Sequence, residues 1–199
     1  MKSTPETRYT LIGKIRDPQD AEAWSEFTAI YQPLIFRIAR KKGLQHADAT
    51  DVTQEVLSKV ASAIEKFDGT KENSSFRGWL YRITRNLVID FIRKRSKHEM
   101  AQIDDFQFAS EPSSADSQEF YQEFQKQIFY VVATEVRSQV KPKTWQAFWE
   151  TEMERKSVDD VAKELNMSPG AIYVARSRVL ARLKSEAESR INASRLEIK

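Results

Sequence analysis

Apolar residues recur along most of the chain at steps of three and four, the spacing of one helix face rather than the alternation of a strand. Trp24, Phe27, Tyr31, Leu34 and Ile38 form one such stripe. The stretch Asp17-Pro18-Gln19-Asp20 opens it, with Asp17 suited to the N-cap and Pro18 to the first helical position. Pro33 lies inside the stripe, where its ring removes a hydrogen bond, so a kink or break is predicted there. Gly43 fits the stop. Val52, Val56, Leu57, Val60, Ala61 and Ile64 predict a second helix from about Ala47 to Ile64, ended by the breaker-rich FDGTKENSS. The stretch SFRGWLYRITRNLVIDFIRKRSK, from Ser75 to Lys97, predicts a third. Further helices are predicted at Phe124–Val140, Thr144–Glu154, Val158–Leu165 and Pro169–Ser189.

Between these groups the pattern lapses. The segment AQIDDFQFASEPSSADSQEFYQE carries Asp104, Asp105, Glu111, Asp116, Glu119 and Glu123 with no Lys or Arg, which marks an extended, solvated linker. No segment reads as a strand, so the expected fold class is all-α. Two small helical domains, residues 1–98 and 124–199, are expected on either side of an acidic flexible linker at 99–123.

The C-terminal SVDDVAKELNMSPGAIYVARSRVLARL has a sharper local plan. Ser157 and Asp160 form an S-x-x-D cap, Asn166 suits a left-handed turn, and Ser168-Pro169 opens a new helix. Ile172, Ala175, Val179 and Leu183 face inward at helical spacing. A short helix, a tight turn and a second helix is the helix-turn-helix plan, whose second helix enters the DNA major groove. The outward positions are Ala171, Tyr173, Arg176 and Ser177, with Arg178, Arg182 and Lys184 placed for phosphates. Arg176 is the candidate for a guanine edge, because its fork can bond two acceptors at once. An ordinary helical hairpin with a solvated basic face has the same pattern.

On a helical wheel the basic third helix separates into a core arc of Leu80, Ile83, Leu87 and Phe91, flanked by Trp79, Thr84 and Val88. Arg82, Arg85, Asn86 and Arg93 gather opposite, with Tyr81 and Ile89 close by and Asp90 one turn beyond Asn86. Three readings fit: aromatic core with solvated basic residues, a membrane-surface helix, or a nucleic-acid surface with arginines for phosphates and an amide for a base edge.

Composition narrows the classes. The 199 residues are 40% hydrophobic and 11% aromatic, enough for real cores. Lys and Arg total 32 against 29 acids, so the placement of charge matters more than its net of +3. The absence of cysteine removes disulfides and thiolate metal sites, and the two histidines, His46 and His98, stand apart, so no metal or cofactor is expected. No Walker-type loop, nucleophile–His pair or carboxylate dyad suggests an enzyme. The N-terminus lacks an apolar signal region and no run approaches a membrane span, so a cytoplasmic location is expected.

The whole arrangement resembles bacterial RNA polymerase sigma factors of the extracytoplasmic-function type, with a possible likeness to a planctomycete-like subgroup in AIYVARSRVLARL. YQPLIFRIARKKG, DATDVTQEVL and FDGTKENSSFRGWLYRITRNLVIDFIRKR are similar to sigma region 2, and VKPKTWQAFWE through the helix-turn-helix to region 4. The resemblance implies a non-enzymatic specificity subunit that binds core RNA polymerase and promoter DNA and promotes DNA opening. In relatives an anti-sigma factor often holds the two domains, which the linker here permits. It implies core-polymerase docking by Asp48, Asp51, Gln54 and Glu55. It implies −10 element contacts by Phe76, Trp79, Arg82, Arg85, Asn86, Asp90 and Arg93, with the loop Asp68–Phe76 capturing a flipped base. The −35 element would be read by Ser168, Pro169, Ala171, Tyr173, Arg176, Ser177 and Arg178. The rival reading is a stand-alone helix-turn-helix regulator acting without polymerase; a helix-turn-helix recombinase or nuclease is a third.

Overall fold

The computed structural model describes residues 9–67, 75–99 and 114–193, and within these every regular element is helical. The all-α expectation holds for them. The loop 68–74 and the linker residues 100–113 lie outside the described residues. In chain order the helices are α1 (Tyr9–Lys14), α2 (Ala21–Lys41), α3 (His46–Ala63), α4 (Phe76–Glu99), α5 (Ser114–Gln139), α6 (Pro142–Phe148), α7 (Val158–Leu165) and α8 (Pro169–Ala193). A 3-10 turn, Ile64–Lys66, closes α3, and a wide π-type turn, Trp149–Met153, extends α6. The chain divides into two compact units, one running to Gln127 (with the chain end from Asn192) and the other Ile128–Ile191.

In the first unit α2, α3 and α4 pack on one another. Their shared core is aromatic at one end: Phe27 stacks on Tyr31 at 4.6 Å, and Phe76 meets Phe27, Tyr31 and Phe67 edge-on at 5.6–6.0 Å. Leu34, Ile35, Val52, Val56, Val60 and Leu80 continue it with essentially no exposure. The α2 cap sits three residues later than expected. Asp17 accepts from Gln19 N in a turn that contains Pro18, and Asp20 is the N-cap, accepting from Ala23 N at 3.0 Å. Pro33 does not end α2, which runs unbroken to Lys41. The buried run Ile30, Tyr31, Leu34, Ile35 and Ile38 holds the helix across it, so tertiary packing outweighs the lost hydrogen bond. Gly43, at φ +94°, ends the helix as expected. Its N–H donates to Arg40 O and that of Leu44 to Ala39 O, the paired bonds of a Schellman stop. Ala61, expected on the inner face of α3, is exposed.

The larger departure is α5. It begins at Ser114, within the stretch expected to be an extended linker, and its first half folds onto α2 and α4. Phe120 packs on Tyr81 and Phe124 on Tyr31, while the Arg77 guanidinium lies 5.0 Å from the Phe124 ring and 5.3 Å from that of Tyr121. Gln127 accepts from Arg37 and donates to Ala29 O. Glu123 is 3% exposed and bonds Lys126, Lys41 and Arg37. Two of the acids that suggested a solvated tether, Glu119 and Glu123, are therefore partners of the basic end of α2. The apolar positions Phe120, Phe124 and Ile128 recur at steps of four and carried that helical signal beneath the acidic composition.

In the second unit α6 and its π-type turn pack on α7 and α8. Ala147, Val161, Ala162, Leu165, Ile172 and Ala175 form one buried cluster. Arg190 of α8, 6% exposed, donates to both carboxylate oxygens of Glu135 on α5 at 2.6–2.7 Å. α7 has the expected bounds, capped by Ser157, whose Oγ accepts from Asp160 N. Asn166 adopts φ 50°, ψ 55°, and its N–H donates to Lys163 O while that of Met167 donates to Ala162 O.

Two predictions follow from these joints. Hydrogen bonding from Lys126, then Lys41, holds the Glu123 carboxyl at about 2 against the burial that would raise it. The folded-state value is below the ordinary one, so its stabilisation is complete above the ordinary range. It fades as pH falls through about 4 toward about 2. Urea midpoints measured between about pH 5 and about pH 3 should therefore drop, and Glu123→Gln should flatten that drop while costing about 1–3 kcal/mol near neutrality. At the α7 stop, Asn166→Ala should cost about 1–2 kcal/mol in denaturant unfolding, because a Cβ without a local hydrogen-bonding group resists the left-handed region, and Asn166→Gly should cost nothing.

Candidate nucleic-acid interface

The angular position of every polar residue on α4 follows from what the helix buries. Phe76, Leu80, Thr84 and Val88, at steps of four, are each at most 2% exposed, and Thr84 Oγ1 satisfies itself by donating to Leu80 O. Tyr81 and Ile89 are buried as well, at 3% and 5%. The wheel set both beside the polar face, and Tyr81 is covered by Phe120 of α5. Between the buried arcs Arg82, Asn86 and Asp90 form an exposed stripe at steps of four, followed by exposed Arg93. Arg85 is half-buried on its flank. The structure thus brings four of the seven residues expected at the −10 element onto one continuous solvent face.

Phe76 is a correction. At 1% exposure and ringed by Phe27, Tyr31 and Phe67, it is a core residue and presents no surface to a base. Trp79 is half-buried and packs on Phe67 and Phe76 at 5.2 and 5.5 Å. The expected core residues Ile83, Leu87 and Phe91 are only half-buried. The burial of α4 is thus centred one residue along from the arc read off the sequence.

On α3 the residues Asp51, Gln54 and Glu55 are exposed while Val52, Thr53 and Val56 are buried. The fourth expected docking residue, Asp48, is half-buried and accepts from Arg95 of α4 at 2.9 Å. A shallow groove of about 250 Å³ between α2 and α3 borders this face, lined by Pro33, Phe36, Arg37, Thr50 and Gln54 among others.

In the second unit Ser168, Pro169, Tyr173, Ser177 and Arg178 are exposed at the start of α8, with Ala171 half-buried. Ser168 Oγ accepts from Ala171 N at 3.2 Å, so its hydroxyl caps the helix. Arg176 is half-buried: its Nε lies 2.7 Å from a carboxylate oxygen of Glu152, an ion pair, and its guanidinium lies 5.6 Å from the Tyr173 ring centre. Glu150, two residues before Glu152, is turned the other way and is 7% exposed. It accepts from Gln146 and from Lys156, which also bonds Glu164 of α7. The Gln146 amide, then Lys156, lowers the Glu150 carboxyl below its usual range, and Glu164 with Glu150 raises the Lys156 ammonium. Sequence reading missed both acids. Apart from Gln146, four residues before Glu150, their partners lie farther along the chain and leave no periodic trace. No group of His, Cys, Asp or Glu suited to a metal occurs among the described residues, and none of their helices is long and apolar enough to cross a membrane.

Comparison with known proteins finds likeness over the first of these units. Residues 28–98, from within α2 to near the end of α4, match the model for sigma-70 region 2. The chain is similar to the ECF RNA polymerase sigma factor SigE of Mycolicibacterium smegmatis, 35% identical over 79 residues (39% of this chain and 29% of SigE). It is 38% identical to SigW of Bacillus subtilis over 77 residues, 38% of this chain and 39% of SigW. It is 30% identical to RpoE of Cereibacter sphaeroides over 115 residues, 57% of this chain and 61% of RpoE. The matched stretch spans less than two thirds of each of these relatives. Residues 28–98 are thus similar to sigma-70 region 2, and the three relatives that share identity with this chain are sigma factors of the extracytoplasmic-function type.

Proposed function

We propose that this chain is a non-enzymatic, cytoplasmic specificity subunit that binds core RNA polymerase, directs it to promoters and promotes DNA opening. The observation that carries the reading is that the sigma-70 region 2 match, residues 28–98, contains both an exposed acidic face on α3 and an exposed amide-and-arginine stripe on α4. Asp51, Gln54 and Glu55 are the docking contacts, with Asp48 assigned to hold Arg95 at the edge of that face. Arg82, Arg85, Asn86, Asp90 and Arg93 meet the −10 element, with Trp79 beside Phe67 and Phe76 in the first turn of α4. The turn and start of α8, Ser168 through Arg178, meet the −35 element. Phosphate contacts by the arginines supply affinity that falls with salt, and the Asn86 amide supplies discrimination at a base edge.

The test is reconstitution with bacterial core polymerase on genomic fragments, scoring co-purification and specific transcripts. Absence of both, with tight duplex binding by the free chain, would favour a stand-alone regulator. Asn86→Ala should lower open-complex formation about tenfold while core binding stays within about twofold. Asp51→Ala combined with Glu55→Ala should do the reverse, weakening capture by core without shifting the unfolding midpoint, since both side chains are exposed. Permanganate footprinting and core pull-down separate the two effects.

A further inference from the structure

Glu152 has a geometry that the promoter-reading role of α8 does not by itself require. It stands in the π-type turn after α6, a separate element from α8, and its Oε1 lies 2.7 Å from Arg176 Nε, an ion pair. The Tyr173 ring lies against the same guanidinium at 5.6 Å. A guanidinium is planar, with five N–H donors in fixed directions. A carboxylate beside Nε and an aromatic ring alongside hold the guanidinium from two sides. The two terminal nitrogens remain as an end-on pair, and a pair of parallel N–H donors is what the O6 and N7 acceptors of guanine take in the major groove. The same carboxylate puts a negative charge beside the DNA-facing helix, which opposes phosphate binding there.

We propose that Glu152 is a positioning residue for sequence readout: it aims Arg176 at a guanine edge and confers selectivity at one base pair at the expense of general DNA affinity. The inference rests on α8 being the −35-reading helix. Arg176 is thereby a specificity contact rather than a phosphate contact, and its neighbours Arg178 and Arg182, exposed on the same helix, supply the phosphate affinity.

The two properties of Glu152, an acceptor and a charge, separate by substitution. Glu152→Gln keeps an acceptor oxygen and loses the charge; Glu152→Ala loses both. The full chain, assembled with core polymerase, is used to select from a duplex library randomised across the −35 stretch. The selected duplex and its single-base variants are then measured in competition. Wild type should prefer guanine at one position, and Arg176→Ala should lose about tenfold of that preference. Glu152→Ala should lose nearly as much, and Glu152→Gln distinctly less. Affinity for unrelated duplex should rise equally in both Glu152 variants, as it follows the charge. If Glu152→Gln and Glu152→Ala lose selectivity equally, or neither does while Arg176→Ala does, the positioning role is overturned and the DNA-reading role of α8 stands. If Arg176→Ala changes nothing, or the library yields no preferred sequence, the reading of α8 itself fails. Unfolding midpoints of the variants, expected to match wild type within a few degrees given the partial exposure of the pair, separate loss of aim from loss of fold.

Discussion

The first unit depends on the burial of Phe76 at the first residue of α4. Its ring closes a cluster with Phe27, Tyr31 and Phe67, and a fully buried Phe contributes about 1.5–3 kcal/mol. More important than the energy is what the contact fixes. A helix pinned at its first residue cannot rotate without breaking the cluster, and Leu80, Thr84 and Val88 then take the inner positions at steps of four. The outer positions left over are those of Arg82, Asn86 and Asp90. The aromatic residue that looked like a base-stacking platform therefore acts one step earlier, by setting the register of the side chains that face solvent.

The second unit solves a similar problem with charge. Helices α6, α7 and α8 share a small core, of which Ala147, Ala162 and Ala175 are members. Alanine contacts bury little area, so they set the distance between helices more than they hold it. Two acids in the π-type turn add directional constraints: Glu150 reaches Lys156 and through it Glu164 of α7, and Glu152 reaches Arg176 of α8. The turn just after it is tight. Arg155 stands at φ 60°, and the Lys156 N–H donates back to Glu150 O at 2.9 Å. A non-glycine residue in that region costs about 1–2 kcal/mol, and the Glu150–Lys156–Glu164 network is what holds it there.

Legibility in the sequence tracked the range of the interaction. α7, its Ser157 cap and the left-handed Asn166 were readable, because each depends on residues within one or two helical turns. The exposed acidic face of α3 was readable as well, its acids separated from buried valines by plain periodicity. What failed was long range. Pro33 looked like a breaker because the packing that spans it comes from other helices; the misplaced cap was the exception, a local competition that Asp20 wins over Asp17. Tyr81 was set beside the polar face because a wheel shows one helix and not its coverings. Those coverings came from residues whose acidic composition had marked them as linker. Composition averaged over Ala101–Glu123 hid the step-of-four apolar pattern at its end, and Glu123 is buried because three cations of α2 and α5 surround it.

The same pairing bears on how basic surfaces of this kind engage DNA. Affinity for a polyanion grows with the number of cations that can replace condensed counterions. Here Arg95 is engaged by Asp48, Arg176 by Glu152, and Arg37 and Lys41 by Glu123 and its neighbours. A cation already held by a carboxylate replaces fewer counterions than its number suggests, so the near balance of 32 basic and 29 acidic residues has a local counterpart in the ion pairs. Arginines such as those at 82 and 93, which meet no carboxylate among the described residues, would bind phosphate wherever they met it; paired ones act in orientation. For a protein proposed to act on DNA together with a large partner, weak duplex affinity in isolation with pre-aimed contacts is the consistent combination. The partner supplies proximity, and the aimed side chains need only discriminate.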